Sequence, residues 1–103
     1  MMIGIPEKLG LPDQSKVEAE LLKLLALTLR PLATVEIYRQ LADAFALTAS
    51  QRVARRDAAR LDPAWNWLVR RAMHRLEAQG WVYRPDRAMW VVTEKGRSQQ
   101  HSF

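Results

Sequence analysis

Cysteine is absent from this 103-residue chain, and with it go disulfides, thiolate metal sites and thiol nucleophiles. That usage fits a reducing compartment. Histidine is scarce: His74 lies in a basic segment and His101 near the C-terminus, neither with a carboxylate at ligand spacing, so neither a metal site nor a cofactor is expected. Long hydrophobic runs are also missing. The most apolar stretch, residues 21–29, is interrupted by Lys23, flanked by Glu20 and Arg30, and too short to span a bilayer. The opening Met-Met-Ile-Gly-Ile-Pro-Glu-Lys lacks the basic region and apolar run of a secretory signal. A soluble, cytoplasmic protein with no membrane partner is the expectation.

Catalytic constellations are equally wanting. No Gly-rich phosphate loop follows a predicted strand, and Ser50, Ser98 and Ser102 stand in polar surroundings with no base beside them. Asp86 with the adjacent Glu94 and Lys95 imitates a metal-nuclease set. On an extended strand, however, neighbouring side chains face opposite sides and do not converge on one ion. A non-catalytic protein is expected.

What the chain does have is arginine. Twelve of its sixteen cations are Arg, and they are unevenly spread. Residues 1–50 hold five basic and six acidic side chains, residues 51–103 eleven and five, so a net charge of −1 is followed by one of +6. A guanidinium offers a bidentate fork suited to phosphate and guanine. The alternative is a general preference for Arg codons.

The most informative stretch is residues 62–80, Asp-Pro-Ala-Trp-Asn-Trp-Leu-Val-Arg-Arg-Ala-Met-His-Arg-Leu-Glu-Ala-Gln-Gly. Asp62 is a capping residue type, Pro63 suits the first helical position, and Gly80 can take the left-handed conformation that ends a helix. Between them Trp65, Leu68, Val69, Ala72, Met73 and Leu76 recur at three- and four-residue spacing, one apolar stripe. Asn66, Trp67, Arg70, Arg71, His74 and Arg75 fall on the other side. A cationic, hydrogen-bonding helix face is the chemistry of a helix in the DNA major groove; a merely solvated face is the plainer alternative.

In chain order, residues 1–14 read as an extended arm with Pro6, Gly10 and Pro12. Ser15 is expected to cap a first helix reaching Leu29, ended by Arg30-Pro31. Its apolar arc of Val17, Leu21, Leu24, Leu25 and Thr28 leaves Leu22, Leu27 and Leu29 outside. That surplus is covered either by the arm and other helices or by a second copy in a homodimer. Thr34 starts a second helix over residues 35–46, burying Val35, Ile37, Tyr38, Leu41, Ala42 and Phe45. Thr48 caps a short third helix over residues 49–56, and Arg52, Arg55, Arg56 and Arg60 make it a second basic element. After Gly80 the period changes to that of a hairpin, residues 81–84 and 88–92 around Pro85-Asp86-Arg87, with Arg84, Asp86 and Arg87 at an outward tip. Residues 93–96 read as a capped final turn, and residues 98–103 as a polar tail. Trp65 and Trp90 are assigned to the core and Trp81 to the junction of hairpin and helices. Trp67, on the polar face, packs on the hairpin or a partner subunit or stacks on DNA, with packing favoured.

This order predicts one α+β, mainly helical domain over residues 15–97, a winged helix-turn-helix with a helical core and a C-terminal two-stranded β wing. The run Gly-Trp-Val-Tyr-Arg-Pro-Asp-Arg-Ala-Met-Trp-Val-Val-Thr-Glu-Lys-Gly of residues 80–96 resembles the wing of the N-terminal domain of Mrr-type restriction endonucleases. Residues 41–48, Leu-Ala-Asp-Ala-Phe-Ala-Leu-Thr, and the long spacer before the central helix are similar to that family's second helix and its exit. The resemblance implies a DNA-recognition module that, in the family, is attached to a nuclease domain acting on modified DNA. No second domain is expected here, so cutting is not implied. Trp67-Leu68 and Arg71 also stand where the family pattern has an Asn-Arg pair and a Trp, so base specificity does not carry over.

The function expected is binding of double-stranded DNA, in transcription regulation or as the target-recognition module of a restriction system with a partner nuclease. Asn66, Trp67, Arg70, Arg71, His74 and Arg75 would face the major groove, Arg84 and Arg87 the flanking backbone, and Arg52, Arg55, Arg56 and Arg60 further phosphates. The alternative is a protein-interaction or dimerisation module built on the arm and first helix.

Overall fold

The computed structural model describes residues 9–56 and 61–100. In chain order these form α1 (Gln14–Leu27), β1 (Leu32–Ala33), α2 (Thr34–Ala44), α3 (Ala49–Val53), α4 (Ala64–Ala78), β2 (Val82–Asp86), β3 (Met89–Val92) and α5 (Glu94–Gln100). The architecture is α+β and mainly helical, with a three-stranded antiparallel sheet in the order β1-β3-β2. Among the described residues no helix is long and apolar enough to cross a membrane.

The stripe read from residues 62–80 is the centre of the core. Trp65, Leu68, Val69, Ala72, Met73 and Leu76 are all buried, joined by Ala64. They pack against Val17, Leu21, Leu22 and Leu25 of α1, Ile37, Leu41 and Ala42 of α2, and Leu32, Val82 and Trp90 of the sheet. Helix α4 stops as expected. Gly80 has φ of +78°, its N–H donates to Glu77 O at 2.9 Å, and the Trp81 N–H donates to Leu76 O at 3.0 Å. This paired closure satisfies two of the last carbonyls.

The start of α4 differs from expectation. Pro63 occupies the cap position, with no side-chain cap bond, and Asp62 bonds to Arg70 instead. The first helical amide, Ala64 N–H, donates to Ala54 O at 2.8 Å, and Arg55 pairs with Pro63 through the backbone, so the chain enters α4 beside the exit from α3. Thr48 does cap α3. Its hydroxyl accepts from Gln51 N–H at 3.1 Å while Gln51 Oε1 accepts from Thr48 N–H at 2.8 Å, a reciprocal box. That helix ends at Val53 rather than at residue 56.

Helix α1 begins one residue before Ser15 and ends at Leu27, short of Leu29. Leu22 is buried, whereas Leu27 is 72% and Leu29 93% exposed, so the surplus is real only at the C-terminal end. The end of the arm lies on its own domain: Leu11 packs on the core, and Gln51 Nε2 donates to Leu9 O and Gly10 O. Residues 1–8 of the arm lie outside the described residues.

Helix α2 is entered from β1. Thr34 is its first residue, and the Glu36 carboxylate accepts from Ala33 N–H at 3.2 Å. Val35, expected inside, is 71% exposed, and the helix ends at Ala44. The hairpin forms, but β2 runs on through Pro85 and Asp86, expected in the turn, so that only Arg87 and Ala88 turn the chain; a third strand joins it, with Leu32 and Ala33 paired to Trp90 and Met89. The final turn is longer than expected, running as α5 to Gln100, so residues 98–100 are helical; residues 101–103 lie outside the described residues. Glu94 and Lys95 therefore belong to a helix, not to the extended segment on which they were set against a shared metal site.

Candidate nucleic-acid interface

The outward face of α4 carries Trp67, Arg70, Arg71 and His74, with Asn66 and Arg75 at its margins, a consequence of 3.6-residue periodicity opposite the buried stripe. Trp67 is half-buried and packs against the core. The Arg56 guanidinium lies 4.0 Å from its ring centroid and that of Arg71 5.0 Å. Both cations are drawn to the negative π-face. One side chain from the stretch after α3 and one from α4 are thereby gathered on one indole. Arg71 is exposed, and Arg56 has a buried Nε with no hydrogen-bond partner among the described residues.

Arg70 is held differently. Its Nη1 and Nη2 both donate to the Asp62 carboxylate, Nη1 at 3.4 Å to Oδ1 and Nη2 in a short contact to Oδ2, while Nη1 also donates to the Tyr38 hydroxyl at 3.2 Å. The hydrogen bond to Asp62 raises the guanidinium pKa above its ordinary value, so its charge is fixed. Arg70 thus links the entry of α4 to α2. It is not the free cation the helical pattern alone describes.

His74 and the hairpin form a third cluster. Glu77 accepts from Arg84 Nε at 3.2 Å, and His74 Nδ1 lies 3.4 Å from its other oxygen. Arg84 also lies 5.1 Å from the Trp90 ring centroid, and the His74 ring meets that indole edge-on at 5.9 Å. The hairpin root is thereby fastened to the last turns of α4. Arg84, expected at a free tip, is folded back; Arg87 remains exposed there with no ion-pair partner among the described residues.

The remaining cations separate by role. Arg52 braces the end of α2, donating to Leu47 O at 3.0 Å and pairing with Asp43 at 2.9 Å. Arg55 and Arg75 are exposed without an ion-pair partner among the described residues, and Arg60 lies outside them. Asn66 lines an open groove of about 240 Å³ between α2 and α4 with Val35, Tyr38, Arg39, Ala42, Arg52 and Trp65. Sequence reasoning missed Tyr38 and Asp62 as partners of Arg70, and Arg39 on the groove rim. Tyr38 reads as one more apolar position of α2, and Asp62 as a cap. Among the described residues no three His, Asp or Glu side chains converge as a metal site would require. Comparison with protein families, with curated proteins and with solved structures finds no match for this chain.

Proposed function

We propose that this chain is a winged helix-turn-helix domain that binds double-stranded DNA, with α4 in the major groove and the β2–β3 hairpin as a wing over the flanking backbone. The order α1-β1-α2-α3-α4-β2-β3 supports that fold reading, since α2 and α4 are then the two helices of the motif and β1 completes the wing's sheet. The observation that carries the function is the outer face of α4. Arg56 and Arg71 lie against the Trp67 ring, and neither has an ion-pair partner among the described residues. Arg55, Arg75 and Arg87 add exposed charge beside it. The Mrr-type resemblance favours a target-recognition unit working with a partner nuclease; transcription regulation uses the same surface.

Fluorescence anisotropy with a labelled random duplex of about 20 base pairs tests the reading. Five arginines without a carboxylate partner among the described residues give a slope of log affinity against log salt near −4.5, at about −0.9 per phosphate contact. Absence of binding even at about 50 mM salt would sink it.

A protein-interaction reading rests on a separate observation, the exposed Leu27 and Leu29 at the end of α1, with a shallow depression of about 160 Å³ between α1 and α2 beside Leu27. Sedimentation of the wild type and Leu27→Glu distinguishes the two. A dimer lost on substitution supports association through α1, and an unchanged monomer removes it.

A further inference from the structure

We infer that Arg70 specifies one guanine in the DNA site through the single edge of its guanidinium that the fold leaves free, and that Asp62 and Tyr38 act as positioning residues for it. The inference rests on the DNA-binding reading above and deepens it.

A guanidinium is planar and carries five N–H donors in fixed directions. Asp62 takes the end-on pair, one hydrogen each from Nη1 and Nη2. The Tyr38 hydroxyl takes the second hydrogen of Nη1. What remains is the side edge, Nε–H and the second Nη2–H, which lie parallel and make no hydrogen bond among the described residues. Such a parallel pair matches the O6 and N7 acceptors that guanine presents in the major groove. The side chain is 39% exposed, so it is in part open to the outside.

Charge decides between a base and a phosphate as its target. A free Arg attracts any phosphate, whatever the sequence. Arg70 is neutralised by Asp62 and gains little long-range attraction to a polyanion, while two elements fix its plane, the entry to α4 and α2. Loss of net charge with gain of fixed orientation suits readout of a base edge, where direction carries the information. Arg71, Arg75 and Arg87, which lack such partners among the described residues, are suited to phosphates.

The experiment starts from a duplex selected by the full chain from a random library. Each guanine is then replaced in turn by 7-deazaguanine, which keeps its base pair and lacks the N7 acceptor. One position is expected to weaken wild-type binding about tenfold, the low end for loss of a bidentate contact. Arg70→Lys is expected to abolish that position's effect. Asp62→Asn and Tyr38→Phe, each checked for a native circular dichroism spectrum, are expected to shrink it severalfold while leaving the salt slope undiminished. If Asp62→Asn and Tyr38→Phe keep the full tenfold effect, or Arg70→Ala weakens all duplexes alike and lowers the slope by about one, the inference is overturned. Wild-type binding indifferent to every guanine overturns it and leaves the DNA reading standing; no binding at low salt removes both.

Discussion

The indole N–H of Trp90 donates to the Thr34 hydroxyl at 3.0 Å, joining β3 to the first turn of α2 across 56 residues of sequence. The same hydroxyl lies 3.3 Å from Ala88 O, to which the Thr34 N–H also donates at 2.9 Å. A threonine that resembles a helix cap in the sequence is instead the fastener between helices and sheet.

Thr34→Val keeps the shape and removes the acceptor, leaving the Trp90 donor buried without a partner. The expected loss is about 2 kcal/mol, a fall in Tm of roughly 10 °C for a domain of this size. In a Trp90→Phe background, where the donor is already gone, the same substitution is expected to cost little. Thermal unfolding of the four proteins of that cycle measures the coupling.

Two glycines separate backbone strain from steric exclusion. A Cβ on Gly96 would stand 2.0 Å from Trp81 O, so Gly96→Ala must push α5 off the hairpin root, at about 3 kcal/mol. Gly80 has open space around it but a φ of +78°. Gly80→Ala is therefore expected to cost only about 1 kcal/mol, and Gly80→Asn less. Urea unfolding midpoints rank the three.

Arg71→Ala with Arg75→Ala is expected to flatten the salt dependence of duplex binding by about two in slope while Tm stays within roughly 2 °C, because neither side chain has an ion-pair partner among the described residues. Arg52→Ala gives the converse: it loses its bonds to Leu47 O and Asp43, so Tm falls while the slope holds. Anisotropy and thermal melts on the same preparations check both.

Glu36 is held below the ordinary glutamate pKa, first by its hydrogen bond with Arg30 and then by the Ala33 N–H. A carboxylate depressed on folding contributes stability above its unfolded pKa and loses it as pH falls through the folded value. That contribution is complete at neutral pH and disappears only in acid, below about pH 4.3. An NMR titration of the Glu36 side-chain carbonyl is expected to show the low midpoint, and Arg30→Ala to move it upward.

The parts legible in the sequence are those written in local periodicity and caps. The stripe from Trp65 to Leu76, the stop at Gly80 and the cap at Thr48 each depend on neighbours within a few residues, and all form as read. The short strand β1 was not legible, because two residues after a proline have no period; its evidence is the partner Trp90, far along the chain. Val35 fits the apolar spacing of α2 yet faces out, since α2 presents only Ile37, Leu41 and Ala42 fully to the core. At the candidate site, the outward set of α4 could be listed from the helical wheel. Which of the site's arginines carries a carboxylate could not, because Asp62 reaches Arg70 across eight residues and Glu77 reaches Arg84 of β2 across seven, through folded geometry rather than helical spacing.

Helix α1, the earliest described helix in the chain, is seated on α4 and capped by α5, where Arg97 Nη1 donates to Ala26 O at 2.7 Å. Strand β1 likewise waits for β3. On the ribosome the leucines of α1 emerge well before α4, β3 and α5, which complete their seat. The core therefore cannot close until β3 and α5 have emerged, which leaves the early helices open to chaperones during synthesis.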